Sequence, residues 1–177
     1  LQTKEKEPAD VYLNVNHSLP DAGFVQPFAD SPLETERIAE NVYMNLINQA
    51  NHSLYLITPY LIITDELVHD LGLAAKRGVD VRIIMPGIPD KKMVYRLSRS
   101  YYMDLLKAGV KIYEYTPGFL HAKSFVCDDS VAVVGTINMD FRSLYLHFEC
   151  GTLLYGGEAI RALKEDCLST MAQSREI

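Results

Sequence analysis

One stretch of the chain, with the sequence HAKSFVCDDSVAVVGTIN over residues 121–138, constrains the fold more than any other. Its apolar segments, the second of them at residues 131–134, predict two β-strands. Aspartates are common in turns, and a two-residue turn formed by Asp128 and Asp129 would join these strands directly. The sequence therefore predicts a β-hairpin whose first strand includes the histidine and lysine of HAKSFV.

Polar side chains are expected on one face of this hairpin. His121 and Lys123 are two residues apart and would therefore point to the same side of one strand. In the register set by a two-residue turn, Thr136 lies opposite His121, and Asn138 follows on the same face. An imidazole, an ammonium group, a hydroxyl and an amide together suit a phosphodiester. One group can attack or protonate it, while the others donate to its anionic oxygens.

These residues also carry a resemblance to a known family. The spacing H-x-K-x(4)-D-x(6)-G-[ST]-x-N resembles the HKD motif of the phospholipase D superfamily. Its specified positions are His121, Lys123, Asp128, Gly135, Thr136 and Asn138. The flanking segments RGVDVRIIMPGIPDKK, SRSYYMDLLKAGVKIYEYTPGFLHAK and NMDFRSLYLHFE resemble the C-terminal half of a bacterial cardiolipin synthase. The chain departs from that family at His147, where an asparagine is expected after the Arg142-Ser143 pair.

Helical periodicity alternates with short apolar segments along the chain, which predicts an α/β fold, an α-β-α sandwich around a mixed β-sheet. The resemblance implies the same architecture, the phospholipase D-like fold. Helices are predicted up to Ala50 with Ser31 as N-cap, from Asp65 to Gly78, over most of residues 89–108, and from Gly157 towards the end. Residues 1–22 are expected to be an extended lead-in, and residues 23–177 a single domain from a longer chain.

Composition excludes several classes of function. The net charge of −6 argues against a general nucleic-acid binder, because such binding depends on clustered lysines and arginines. We therefore predict no nucleic-acid partner. No charge-free apolar segment reaches the roughly eighteen residues that a membrane span needs. The three cysteines are scattered, which favours free thiols, and no Cys/His cluster has the spacing of a metal site, so no metal or other cofactor is predicted.

The resemblance assigns roles to the motif residues. In the family, the histidine of one motif attacks phosphorus and that of a second motif protonates the leaving alcohol. From one motif both roles stay open for His121, and likeness to paired-motif members favours the general acid. Lys123 and Asn138 would hold the non-bridging oxygens, with Thr136 as a weaker donor. Asp128 is expected to be structural, bonding backbone amides at the turn.

Glu149 is a further candidate catalytic residue. It lies in an apolar segment between Phe148 and Cys150, where a glutamate is unusual unless it is paired. The resemblance implies that its carboxylate accepts the second N–H of the His121 imidazole. Such a contact would fix the tautomer and stabilise the imidazolium, as an orienting carboxylate does in hydrolytic triads.

The resemblance implies one half of a cardiolipin synthase-type phosphatidyltransferase. The family joins two phosphatidylglycerol molecules through a phosphohistidine and releases glycerol. The other half-site would come from the first HKD half-domain of the same chain or from a second copy. The full-length protein is expected at the cytoplasmic face of the cell membrane. The fragment itself is expected to be soluble and, as half an active site, inactive unless two copies pair.

Three alternatives stay open from the sequence. The chain could be a homodimeric phosphodiesterase or nuclease of the same superfamily, or a non-catalytic half-domain that braces a partner. An unrelated α/β binding protein that matches the motif by accident is the third. Lys91, Lys92 and Arg142 could meet lipid headgroups, but the favoured interpretation is that they are solvated surface charges, because lysine and arginine are mostly exposed.

Overall fold

Strands and helices alternate along most of the chain. A computed structural model describes residues 23–177, so the lead-in expected for residues 1–22 lies outside the described residues. The first elements are β1 (Phe24–Asp30), α1 (Ile38–Gln49), β2 (Ser53–Ile57), β3 (Leu61–Ile62), α2 (Asp65–Lys76), β4 (Asp80–Pro86), α3 (Lys92–Ser100) and α4 (Tyr102–Ala108). They are followed by β5 (Lys111–Tyr115), β6 (Ser124–Cys127), β7 (Val131–Gly135), β8 (Met139–Asp140), α5 (Phe141–Tyr145), β9 (Glu149–Tyr155), α6 (Glu158–Ala172) and β10 (Ser174–Glu176).

Eight of these strands form one mixed sheet, in the order β1-β9-β7-β6-β2-β4-β5-β10. The strands β2, β4 and β5 run parallel to their neighbours in this group, joined by helical crossovers. The pairs β1–β9, β9–β7, β7–β6, β6–β2 and β5–β10 are antiparallel. The short strands β3 and β8 form a separate parallel pair. The predicted mixed α/β architecture is therefore confirmed.

Helices cover both faces of the large sheet. On β2, Leu54 and Leu56 face one apolar cluster, whereas Tyr55 and Ile57 face another, as the two-residue period of a strand requires. The larger cluster contains residues of α1, α2 and α4, and the smaller one contains residues of α6. The core thus has two layers, and the strand ends between them are free to carry polar side chains.

Two helix boundaries differ from the prediction. The first helix begins at Ile38 rather than after Ser31, and its N-terminus is held by the Asp30 carboxylate, which accepts the N–H of Ala39 at 2.9 Å. The last helix ends at Ala172, and the chain then forms β10 against β5. None of the helices between residues 23 and 177 has the length and apolarity that a membrane crossing requires.

The predicted hairpin exists, but its register was wrong by one residue. Cys127 pairs with Val131, not with Ser130, although the N–H of Ser130 does bond the carbonyl of Cys127 at 3.1 Å. Asp128 adopts the left-handed conformation, with φ of 49°, as a tight turn requires. The carbonyl of Ser130 accepts the N–H of Gly156 at 2.8 Å, and this contact draws Ser130 out of the hairpin ladder.

The same hairpin begins later than predicted. Strand β6 starts at Ser124, so His121 and Lys123 lie in the segment that precedes it and not on a strand face. The prediction that strand alternation aligns them was therefore wrong. Their placement depends on side-chain contacts of the preceding loop, which are described below.

Asp128 ties the hairpin turn to the start of β2. Its carboxylate accepts the backbone N–H groups of Asn51 at 2.8 Å, His52 at 2.8 Å and Ser53 at 2.9 Å. Burial raises the pKa of Asp128, but these backbone hydrogen bonds outweigh it and hold the pKa below its usual range. The motif aspartate thus bonds backbone amides of a segment far away in sequence.

Replacing Asp128 with asparagine should destabilise the fold. The amide keeps one acceptor oxygen and tolerates the left-handed backbone, but its NH2 group would face the N–H of Asn51. We expect Asp128→Asn to lower the free energy of unfolding by about 1–2 kcal/mol at pH 7. Denaturant titration measures this change.

The matched control is Asp129→Asn, at the neighbouring turn position, which also has a positive φ. Asp129 pairs with Lys164 at the surface, and its loss should cost less than about 0.5 kcal/mol. Because the folded-state pKa of Asp128 is lowered, its contribution is present above pH about 4 and is lost as the pH falls further. Equal destabilisation by the two variants would contradict this role.

Candidate active site

A cleft at the end of β6 and β7 collects four of the predicted site residues. Its volume is about 510 Å³, and its wall includes His121, Lys123, Thr136 and Asn138. We refer to it as the His121 cleft. Glu149, the fifth candidate, does not line the cleft but lies behind Thr136, with its side chain only 7% exposed.

His121 is positioned by aromatic side chains rather than by a strand. Its ring stacks on Phe119, with centroids 5.5 Å apart and planes inclined by 13°. The Tyr60 ring contacts it edge-on, with a centroid distance of 6.0 Å. Within residues 23–177 the imidazole has no hydrogen-bond partner, and the residue is exposed. Its ring nitrogens are therefore accessible to a substrate in the cleft.

The surroundings of His121 favour the neutral imidazole. Burial lowers the pKa of His121, and the nearby Lys123 ammonium lowers it further, whereas Asp90 acts in the opposite direction. Lys91 adds a smaller lowering effect. The neutral form can attack phosphorus or accept a proton near neutral pH.

Lys123 supplies a positive charge to the cleft. Its Nζ donates to the backbone carbonyl of His121 at 2.7 Å, which holds the two motif residues together. Burial lowers the pKa of Lys123, while the carboxylates of Glu149 and Asp140 raise it. The ammonium forms no ion pair within the described part of the chain, so it is available to an anionic ligand.

The glycine of the motif allows two strands to approach closely. A Cβ on Gly135 would lie 2.2 Å from the carbonyl oxygen of Cys150, so any side chain would push β7 and β9 apart. Next to it, the N–H of Thr136 bonds the same carbonyl at 2.9 Å, and Thr136 Oγ1 accepts the N–H of Cys150 at 3.0 Å. These contacts bring Thr136 beside the buried glutamate.

The Glu149 carboxylate is held by hydroxyl groups. Thr136 Oγ1 donates to one of its oxygens, and Ser143 Oγ donates to the other at 2.8 Å. No hydrogen bond joins Glu149 to the His121 ring among the described residues, so the contact implied by the resemblance is not present. The carboxylate oxygens have other partners, and the His121 ring lies against Phe119 instead.

Ser143 is a site residue that the sequence analysis missed. Ionised Glu149 can only accept, so Ser143 Oγ donates to it and accepts from Asn138 Nδ2, which is 2.9 Å away. The Asn138 Oδ1 atom is buried and has no partner within the described residues. An aspartate at the start of a predicted helix is a sequence signal that could have located Ser143. Asp140 is the N-cap of α5 and accepts the N–H of Ser143, three residues later, at 2.7 Å.

Metal ligands are not grouped in the described part of the chain. Between residues 23 and 177, no three His, Cys, Asp or Glu side chains are arranged to hold a metal ion. The ionisable groups that line the His121 cleft are the Lys123 ammonium, the His121 imidazole and the Asp166 carboxylate. The arrangement is chemically suited to a phosphate ester, since it combines a nucleophile or base with fixed donors.

Comparison with known proteins finds a matching family model and related sequences. Residues 43–170 match the family model for the cardiolipin synthase, PLD-like domain. An uncharacterized protein of Streptococcus mutans is 54% identical over 94% of this chain and 36% of its own length. Cardiolipin synthase 2 of Bacillus cereus is 43% identical over 88% of this chain and 30% of its own length. The chain thus spans about a third of the length of these relatives.

A solved structure supports the fold assignment. Nuc from Salmonella typhimurium, a phospholipase D family member, superposes with a TM-score of 0.74 at 18% identity. The match covers 87% of this chain and 97% of the Nuc chain. At this identity the likeness concerns the fold alone. It indicates that the whole Nuc chain corresponds to the domain described here.

Two charge-removing substitutions should shift the pKa of His121 in opposite directions. Lys123→Gln removes a cation that disfavours the imidazolium and should raise the pKa, whereas Asp90→Asn removes a carboxylate and should lower it. Lys92→Gln serves as a control outside the cleft. NMR titration of the His121 ring protons measures all three values, and a shift of the same sign in both variants would contradict the geometry.

Proposed function

Because the chain belongs to the cardiolipin synthase, PLD-like domain family, we propose that it supplies one half of a phosphatidyltransferase active site. The reaction would join two phosphatidylglycerol molecules and release glycerol. The single observation that carries the proposal is the meeting of His121, Lys123, Thr136 and Asn138 in one cleft of about 510 Å³. An imidazole beside fixed donors is what phosphoryl transfer through a covalent enzyme intermediate needs.

The proposed chemistry has two balanced steps. In the first, a neutral imidazole attacks phosphorus of the donor lipid, an N–P bond forms, and the P–O bond to glycerol breaks. A second imidazole, protonated, gives its proton to the departing glycerol oxygen. In the second step, a hydroxyl of the acceptor lipid loses its proton to that second imidazole and attacks phosphorus, and the N–P bond breaks. The enzyme returns to its starting state.

His121 supplies one of these two imidazoles. Its lowered pKa supports the neutral form, which attacks phosphorus or collects the acceptor proton. For His121 to act as the general acid, the negative charge of a bound phosphodiester would have to raise the pKa of its imidazole again. Lys123 would stabilise charge on the non-bridging oxygens, and the free N–H of Asn138 would add a donor.

The second imidazole would come from outside the described domain. Among residues 23–177, His121 is the one histidine that lines the His121 cleft. The chain covers only about a third of its cardiolipin synthase relatives, which leaves room for another half-domain in a full-length protein. We propose that the partner is the first HKD half-domain or a second copy of this one. The membrane location would likewise be a property of the full-length protein.

A second candidate is a homodimeric phosphodiesterase of the same superfamily. The size of the Nuc chain favours this candidate, because 97% of that chain corresponds to this one domain and leaves no room for a second. Two copies could then place two imidazoles in one site. The net charge of −6 gives no general attraction to nucleic acid, so a small phosphodiester is the more suitable substrate of this candidate.

His121→Asn should abolish phosphatidyl transfer in the full-length protein. Loss of the nucleophile or proton carrier is expected to reduce turnover by at least about a thousandfold. The assay follows cardiolipin and glycerol formed from phosphatidylglycerol, and circular dichroism checks the fold. His69→Asn, on the exposed surface of α2, is the matched control and should retain activity.

Two outcomes separate the candidates. Wild-type turnover by His121→Asn would refute the proposed role of His121. If the purified chain alone cleaves bis-p-nitrophenyl phosphate and forms dimers, while the full-length protein makes no cardiolipin, the homodimeric phosphodiesterase is the correct assignment.

Ser143→Ala should slow turnover, because the Asn138 amide would no longer be held by the Ser143 hydroxyl. Without the hydroxyl, Asn138 Nδ2 and one Glu149 oxygen both lose a partner. We expect kcat to fall about tenfold to a hundredfold with a smaller change in KM, as for other supporting residues around a site. Ser143→Thr, which keeps the hydroxyl, should recover most of the activity, and Ser169→Ala on α6 is the control. A loss confined to thermal stability would show that Ser143 is only structural.

A further inference from the structure

A second cleft adjoins the His121 cleft. Its volume is about 540 Å³, and Tyr60 forms part of its wall. The centroid of the Tyr60 ring lies 6.0 Å from the centroid of the His121 imidazole. Lys91, Arg142 and His147 also line it. We call it the Arg142 cleft. Because Tyr60 stands between the two, a ligand in the Arg142 cleft would extend towards the reacting imidazole.

The cations of the Arg142 cleft are not neutralised by carboxylates. Within the described chain, neither Lys91 nor Arg142 forms an ion pair. Asp140 also lines the cleft and Asp90 lies behind Tyr60, and each of these carboxylates has a hydrogen-bonded partner. Asp140 accepts the N–H of Ser143, and Asp90 accepts the Tyr60 hydroxyl at 2.5 Å. The two cations, Lys91 and Arg142, outnumber the single carboxylate of the lining, Asp140, so the lining carries a formal positive charge that an anion could meet.

His147 holds Arg142 in a defined orientation. Arg142 Nε donates to His147 Nε2 at 2.8 Å, so that ring nitrogen carries no proton. The proton is then on Nδ1, which lies 3.6 Å from the Glu149 carboxylate. The terminal nitrogens of Arg142 form no hydrogen bond with the described residues and are free for bidentate contact with a phosphate.

Apart from Asp140, the remaining walls of the Arg142 cleft are apolar. Val94, Phe141 and Leu146 line the cleft, and the last two are 51% and 59% exposed. A free inorganic anion would gain nothing from such walls, whereas a lipid phosphate with attached hydrocarbon would bury them. Charge and apolar surface together therefore select an anionic amphiphile.

We propose that the Arg142 cleft binds the phosphate of the second anionic glycerophospholipid, the acceptor, with its hydrocarbon lying against Val94, Phe141 and Leu146. The proposal rests on the transferase function proposed above. Joining two such lipids leaves two phosphates linked by one glycerol, so a transferase needs a second anion site beside the reacting phosphorus. The Arg142 cleft lies at that position relative to His121, with Lys91 and Arg142 as the phosphate ligands.

The test measures two reactions of the full-length protein. Cardiolipin formation needs both lipids, whereas exchange of radiolabelled glycerol into phosphatidylglycerol needs only the donor lipid. We expect the double variant Lys91→Ala/Arg142→Ala to lower the ratio of cardiolipin formation to glycerol exchange by at least about tenfold. Leu146→Ser should lower the same ratio, because it removes apolar contact.

The control is Lys92→Ala/Arg96→Ala, which removes two neighbouring cations of α3 that do not line the cleft. It should leave the ratio unchanged. An unchanged ratio in the Lys91→Ala/Arg142→Ala variant, or an equal fall of both reactions, would overturn the inference. If Leu146→Ser has no effect while added inorganic phosphate lowers the ratio, the cleft takes free phosphate and the lipid assignment is wrong. Absence of both reactions in the unaltered protein would instead refute the transferase function.

Discussion

The buried Glu149 carboxylate determines how the polar side of the His121 cleft is built. The Glu149 side chain is only 7% exposed, and burying a carboxylate costs free energy unless hydrogen bonds replace those it made with water. Thr136 and Ser143 provide those bonds, and through Ser143 the charge also sets the direction of the Asn138 amide. The close approach of β7 and β9 at Gly135 makes this possible. One buried charge therefore orients three neighbouring polar side chains.

The imidazole side of the cleft is held by different forces. His121 lies on a loop and is located by contacts with Phe119 and Tyr60, which are less directional than hydrogen bonds. Lys123 bonds the His121 carbonyl and so fixes the backbone more firmly than the ring. Because the ring has no hydrogen-bonded partner among the described residues, it could adjust to a bound substrate and to the proposed second half-site, as the proposed exchange of protons with two alcohols would require.

Local pattern was sufficient to predict most of the strands and the α/β class, because apolar periodicity involves neighbours in sequence. The meeting of the motif residues was predicted from strand alternation and from a hairpin register that were both wrong, so it depends on contacts that the local pattern does not contain. The hairpin register was not predictable in this way, since Asp128 bonds Asn51 and Ser130 bonds Gly156. Strand β10 was not predicted, for a similar reason. It is polar, and its Arg175 side chain bonds the buried Glu114 at 2.8 Å across 61 positions. Such long-range contacts leave no periodic signal in the sequence.

The positions of the unpaired cations indicate how an acidic chain would receive the anionic substrate proposed above. Away from the clefts, some cations are paired with carboxylates, as Arg82 is with Asp80 at 2.6 Å, whereas others, such as Arg96 and Arg161, form no ion pair among the described residues. Around the two clefts, three cations form no ion pair within the described chain, namely Lys91, Lys123 and Arg142. A field at a concave surface depends on these local charges more than on the net charge of −6. Near the clefts, the carboxylates of Asp90, Asp140 and Glu149 accept hydrogen bonds from hydroxyls or a backbone amide, so they oppose the cations without contacting them. Asp166 also lines the His121 cleft, so a phosphate there would have to bind nearer to the Lys123 ammonium than to that carboxylate.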